Sequence, residues 1–255
     1  MPSPLSAVLD NLFDNEGLLS ADRRPMADAL AAHADVLAGP HAGWAGPFVC
    51  PVSRLGELDA CVAAGVTRPP ALAIVGSDGP AAWRRAFGAR GLVQVEAPGT
   101  AAVPSPPGRV VRYVEITRRD PMEQALDAVA GVAARVKVRC EAASRDATPD
   151  HTWLARILVG CADRGLALKA AGGPAHAYGA DDGGGAAQGI VNLLAAAGAA
   201  RAGEEPPLVA RILAAAEPDA EGLLARIGHA RELLAAIGTP DVPSAAEALT
   251  SRNLA

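Results

Sequence analysis

Short apolar runs with strand character alternate along most of this chain with longer runs rich in alanine and leucine. In order, the strand-like runs are GPFVCPV, PALAIVG, GLVQVEA, RVVRYVEI, ARVKVRC and GLALKAA. Between them lie SRLGELDACVAAG, GPAAWRRAFGAR, DPMEQALDAVAGVAA and TPDHTWLARILVGCADR, each long enough for a helix that crosses back over a sheet. Near-continuous apolar strands joined by helices predict a parallel sheet covered by helices on its outer face. The spacing of one strand plus one helix fits a (β/α) barrel. An open doubly wound sheet competes, but VCPVSRLGEL lacks the G-x-G-x-x-G turn that such a sheet usually carries after its first strand.

The ends of the chain read differently. Two amphipathic stretches, PLSAVLDNLF and SADRRPMADALAAHADVLAG, open it; the second has Ser20 and Asp22 at its start and Gly39 as its stop. After GLALKAAGG comes a turn-rich loop, PAHAYGADDGGGAAQ, and then GIVNLLAAAGAARAG, PPLVARILAAA and DAEGLLARIGHARELLAAIG, all with helical patterning. An eight-stranded barrel would have to hide strands in these helix-like segments. The expected fold is therefore α/β: an incomplete or distorted TIM-like (β/α) barrel of about six to eight mostly parallel strands with extra N- and C-terminal helices. It forms one domain over 1–255, with N-terminal helices over 1–42, βα units over 43–175 and C-terminal helices over 188–255.

Composition narrows the function classes. A net charge of -5 with no basic stripe, and only three Phe, three Trp and two Tyr, argues against a nucleic-acid partner. The first residues lack a basic and apolar leader pattern, and no run reaches the roughly 18 apolar residues that span a bilayer. No membrane partner and a cytoplasmic location are expected; self-association into a homo-oligomer is left open. Cys50, Cys61, Cys140 and Cys161 stand far apart with no metal-ligand spacing, so they read as reduced packing residues, with no metal and no cofactor expected.

The candidate chemistry lies on the strands. Side chains alternate between the two faces of a strand, so Gln94 and Glu96 share a face, as do Tyr113 and Glu115, and Lys137 and Arg139. Lys169 shares its face with Ala167 and Ala171. The chain has only two lysines, Lys137 and Lys169, and both fall on such polar faces. Glu96, Glu115, Lys137, Arg139 and Lys169 should converge on the barrel interior, where charges need either one another or a ligand. One reading is an internal salt-bridge network; the other is a pocket open at the C-terminal ends of the strands.

In a pocket, a lysine can stay charged and bind an anion, or lose its proton and attack a carbonyl. Three cations together should depress one another's pKa, with Glu115 or Glu96 moving protons. The candidate catalytic residues are Lys137, Lys169, Glu115 and His176. Glu96, Arg139, Asn192, Gly172 and Gly173 are candidate substrate-binding residues; Asn192 also suits a capping role, and the glycines offer backbone amides to an anion. The expected partner is a small carbonyl, carboxylate or phosphate compound.

Two resemblances add to this. FVCPVSRLGEL, RYVEI, VKVR, LALKAAGGPAH, GIVNLLAAA and ARELLAAIGTPD occur in an order that resembles an uncharacterised bacterial family of barrel-like proteins. That resemblance implies pocket positions at Lys137, Arg139, Lys169, His176 and Asn192. LALKAAGG alone is similar to the seventh-strand lysine segment of deoxyribose-phosphate aldolases. By that resemblance Lys137 would form a Schiff base, Lys169 would lower its pKa, and the chain would be a class I aldolase-like lyase. The alternative is a non-catalytic or ligand-binding barrel whose charged interior is structural.

Overall fold

The computed structural model describes residues 5–19, 24–66, 68–76, 79–99, 105–140, 150–173, 176–179, 188–215 and 226–252. Eight parallel strands close into a barrel in chain order: β1 (Phe13–Asn15), β2 (Ala45–Pro51), β3 (Leu72–Val75), β4 (Leu92–Pro98), β5 (Val111–Glu115), β6 (Arg135–Arg139), β7 (Leu168–Ala171) and β8 (Leu234–Thr239). All six strand-like runs form strands, and the barrel is complete. The two strands that close it come from segments with helical patterning. Phe13 pairs with Ile237 and Asp14 with Gly238 across the closure.

Among the described residues the α-helices are α1 (Ser6–Leu9), α2 (Met26–Ala38), α3 (Leu55–Ala63), α4 (Gly79–Ala86), α5 (Met122–Gly131), α6 (His151–Asp163), α7 (Ile190–Arg201), α8 (Pro206–Ala214), α9 (Ala230–Leu233) and α10 (Val242–Thr250). Asp150 caps α6 by accepting from the Trp153 amide at 2.7 Å. The helix of the second amphipathic stretch spans Met26–Ala38 with Pro25 in the capping position, and Ser20 and Asp22 lie outside the described residues. The DDGGG run lies outside the described residues. No helix among the described residues is long and apolar enough to cross a membrane.

β1 and β8 explain why the ends mislead. β1 is three residues long, too short to show an alternating period, and β8 reads LAAIGT after a one-turn helix. Alanine and leucine prefer helix by only a few tenths of a kcal/mol per residue over β-branched residues. Full burial of a Leu or Ile side chain is worth about 1.5–3 kcal/mol, and Leu234 and Ile237 are completely buried on the outer face of β8. Packing decides the segment.

Apolar residues occupy the outside of the barrel wall. One cluster joins Phe13, Val114, Val136, Val138, Leu168, Ala170, Leu234 and Ile237 to the surrounding helices; a second joins Phe48, Cys50, Leu72, Ile74, Val95 and Ala97 to α2, α3 and α4. The alternate residues of the same strands face inward. They are small, as Val49, Ala73, Ala171 and Ala236, or polar, as Asp14, Gln94, Glu96, Tyr113, Lys137 and Lys169, and all are buried. The barrel is filled by charge where most such barrels are filled by branched apolar side chains.

Candidate active site

The pairing register places the charges side by side. Glu115 of β5 is the Cα partner of Lys137 on β6, and Lys137 is the partner of Lys169 on β7. Lys169 Nζ donates to Asp14 Oδ2 and to Glu96 Oε1, both at 2.6 Å, and stands 3.4 Å from Glu16 Oε1. Glu96 reaches the second lysine with its other oxygen, 2.8 Å from Lys137 Nζ. Lys137 Nζ is also 3.2 Å from Glu115 Oε2, and Glu115 Oε1 is 3.4 Å from Arg139 Nε. Signs alternate along one connected line: Asp14, Lys169, Glu96, Lys137, Glu115, Arg139.

That line runs from a sealed interior to an open end. Lys169 and Glu96 are wholly buried, and the Lys137 side chain is 1% exposed. Glu115 and Arg139, at the C-terminal ends of their strands, are 17% and 52% exposed. The expected five-residue convergence is present. Gln94 braces its deep end, donating to Asp14 Oδ2 at 2.9 Å and Glu96 Oε1 at 2.6 Å.

The two lysines differ. Lys169 spends its ammonium on two short hydrogen bonds. Lys137 Nζ is equally hidden from water and stands in ion-pair contact with two carboxylates, Glu96 at 2.8 Å and Glu115 at 3.2 Å. Lys169 is enclosed by the deep carboxylates Asp14, Glu96 and Glu16, whereas Lys137 links Glu96 to Glu115 at the C-terminal end of the line.

Electrostatics corrects one expectation. Lys169 lowers the Lys137 pKa only as the smallest of several causes, because the carboxylate of Glu96 stands between the two lysines and the neighbouring carboxylates outweigh their repulsion. Burial pushes Lys169 down, but Asp14, Glu96 and Glu16 outweigh it and hold the ammonium well above the ordinary lysine value. For Lys137 burial again opposes the charge, yet Glu96 and Glu115 raise its pKa on balance. Glu96 is pushed up by burial but held far below the usual carboxylate range by the two lysines. Asp14 goes the other way: burial raises its pKa, Glu96 adds to this, and Lys169 only partly offsets them.

The remaining sequence candidates divide. Gly172 joins the site through its backbone, its amide donating to Glu16 Oε2 at 2.8 Å. Gly173 packs tightly, since a Cβ there would meet Ile237 Cγ2 at 2.7 Å and the Gly238 carbonyl at 2.9 Å; its amide donates to that carbonyl. Asn192 is buried on α7 but holds the helix layer together. It accepts from the Gly179 amide at 2.9 Å and donates to the carbonyls of Ile212 and Ala215, each at 2.8 Å. His176 is an exposed loop residue whose carbonyl receives the Ile190 amide, and it has no part in the charged line.

Asp14 and Glu16 are the contributors that sequence reasoning missed. Both follow Phe13 in LFDNEG, and the visible signal was an unusually acidic step, D-N-E, directly after an apolar run. Glycines on neighbouring strands make room for them. A Cβ on Gly46 would fall 2.5 Å from Asp14 Oδ1, and one on Gly238 would fall 2.1 Å from Glu16 Oε1. Between these two, Asn15 points outward and meets His33 Nδ1 of α2 at 3.2 Å.

No family model, curated protein or solved structure matches the chain. Glu115 and Arg139 are the groups that reach solvent at the mouth, Lys137 lies buried directly beneath them, and Lys169, Glu96, Asp14, Glu16 and Gln94 form the buried base.

Proposed function

We propose that this chain is an enzyme of the lyase or aldolase kind, acting on a small carbonyl metabolite through the Lys137 amine at the C-terminal mouth of the barrel. The observation that carries this reading is the contrast between the two lysines. Lys169 is enclosed by Asp14, Glu96 and Glu16, whereas Lys137 lies directly beneath the half-open Glu115 and Arg139 pair, next to the end of the line that reaches solvent. A carbonyl compound entering between Glu115 and Arg139 would come within reach of the Lys137 amine. Glu115, 3.2 Å from Nζ, is placed to accept a proton so that the nitrogen lone pair can attack the carbonyl carbon.

In this scheme Lys169 does not react. Pinned between Asp14 and Glu96, it keeps Glu96 ionised and aimed at Lys137, so it acts as a positioning residue. The test is reductive trapping: the protein is incubated with a panel of small aldehydes and ketones plus borohydride, then mapped by peptide mass. Mass is expected on Lys137 and none on Lys169. Absence of adduct on Lys137 across the panel from pH 7 to 10 would remove the Schiff-base reading.

A second reading has its own support: each charge in the interior line has an opposite partner, as in a network that only fills the barrel. It expects Lys137→Met and Lys169→Met to destabilise the fold to similar degrees. The enzyme reading expects borohydride labelling by a carbonyl compound in the wild type and in Lys169→Met, and its loss in Lys137→Met.

A further inference from the structure

Building on the Lys137 reading, we infer that the substrate is a short 2-oxo acid whose carboxylate is taken by Arg139 in exchange for Glu115. The geometry already contains a stand-in for that ligand. Glu115 spans the two outer cations with the two oxygens of one carboxyl group, Oε2 toward Lys137 Nζ at 3.2 Å and Oε1 toward Arg139 Nε at 3.4 Å. Whatever bridges the same cations must be almost as compact. A 2-oxo acid is the nearest fit: its oxo oxygen and its carboxylate oxygens are only one bond further apart than the two oxygens of Glu115. A carbonyl compound bearing a phosphate separates the two groups further.

Charge points the same way. The connected ion pairs join four carboxylates, Asp14, Glu16, Glu96 and Glu115, to three cations, Lys137, Lys169 and Arg139. A site already short of positive charge admits a monoanion more readily than a dianionic phosphate. The Glu115 to Arg139 contact is the one in the line that can yield, being the longest of the chain of nearest pairs and more than half exposed on the arginine side. Released from Arg139, Glu115 keeps its place beside Lys137.

The covalent step balances without a further reactant. Glu115 takes a proton from the Lys137 ammonium, and the amine nitrogen bonds to the oxo carbon as the carbonyl electrons move to oxygen. The resulting carbinolamine hydroxyl receives the proton from Glu115 and leaves as water, giving a protonated imine. Ammonium and ketone become iminium and water, and Glu115 ends as it began.

The experiment compares borohydride trapping of pyruvate, of acetone as its uncharged counterpart, and of dihydroxyacetone phosphate, on the wild-type chain and on Arg139→Gln. Because Arg139 is half exposed, the variant should fold. Wild type is expected to trap pyruvate on Lys137 faster than either comparison compound. In Arg139→Gln the advantage of pyruvate over acetone should fall by about ten- to a hundredfold, the usual scale for a lost charged hydrogen bond, while acetone trapping is retained. Equal trapping of pyruvate and acetone by wild type, or faster trapping of the phosphate, would overturn the 2-oxo acid inference and leave the Lys137 reading standing. A preference for pyruvate that survives in Arg139→Gln would remove Arg139 from the role. No adduct on Lys137 with any of the three would overturn both.

Discussion

Replacing Lys169 by methionine isolates the central cation of the barrel, and the structure sets the scale of the response. The new side chain has similar length, so little cavity is created and the effect is electrostatic. Wild-type Lys169 is wholly buried and holds Asp14 and Glu96 at 2.6 Å each, with Glu16 at 3.4 Å. After the change Glu96 still has Lys137, and Asp14 has only Gln94. Removing one member of a buried pair typically costs about 3–5 kcal/mol, since the other charge is left uncompensated. For a chain of this size each kcal/mol moves the melting temperature by about 2–4 °C, so a fall of roughly 6–20 °C is expected.

The loss should depend on pH in a defined direction. Asp14 already has a raised pKa in the fold, and without Lys169 it rises further. A carboxyl group with a raised folded pKa is least harmful below its unfolded value and costs more as pH rises through the folded one. The variant should therefore recover part of its deficit between neutral pH and the ordinary aspartate range. Denaturant unfolding at pH 7 and 5, for Lys169→Met, Asp14→Asn and the double variant, measures this. The double variant should be less destabilised than the sum of the singles. A Lys169→Met deficit below about 1 kcal/mol, or strict additivity with Asp14→Asn, would refute the idea of a buried cation neutralising Asp14.

Four further outcomes are expected. His33 is buried between Asn15 and Phe48, and burial lowers its pKa to about 4. Its share of stability, about 3 kcal/mol by linkage, is present above pH 6.5 and lost as pH falls toward 4; His33→Gln should flatten the stability profile in that window, and an unchanged profile would contradict it. Gly238→Ala should destabilise by about 1–3 kcal/mol through overpacking against Glu16, with Glu16→Ala restoring part of the loss when the two are combined; full additivity in urea unfolding would count against the contact. Asn192→Ala should cost about 1–3 kcal/mol because one amide and two carbonyls lose their partner, and should leave the site of borohydride labelling on Lys137 unchanged. Since the Lys137 pKa is raised above the ordinary lysine value, its trapping rate should climb about tenfold per pH unit from neutrality to pH 9; a flat rate would mean that the amine is already neutral.

Much of this molecule is set by local pattern. The six inner strands, their crossover helices and the inward faces of Glu96, Glu115, Lys137, Arg139 and Lys169 follow from residue alternation, because a strand's period of two assigns each side chain to one face whatever the neighbouring strand does. Long-range pairing alone decided the rest. β1 is too short to show a period, and β8 is written in alanine and leucine; each becomes a strand only because the other, with β2 and β7, supplies hydrogen-bonding partners and an apolar layer to bury Phe13, Leu234 and Ile237.

Closing the barrel also decided the electrostatics. Read from sequence, three cations on one interior should have weakened one another. In the folded chain, Asp14 arrives from a strand 155 residues away from Lys169 in sequence, and with Glu96, Glu115 and Glu16 it reverses the sign of that effect. Coulomb energy depends on distance and on the surrounding medium, and neither is defined until the chain is closed. The sequence by itself named five of the charges and the face they occupy; only the tertiary structure brought in Asp14 and Glu16 and decided which lysine the deep carboxylates enclose and which lies beneath the Glu115 and Arg139 pair.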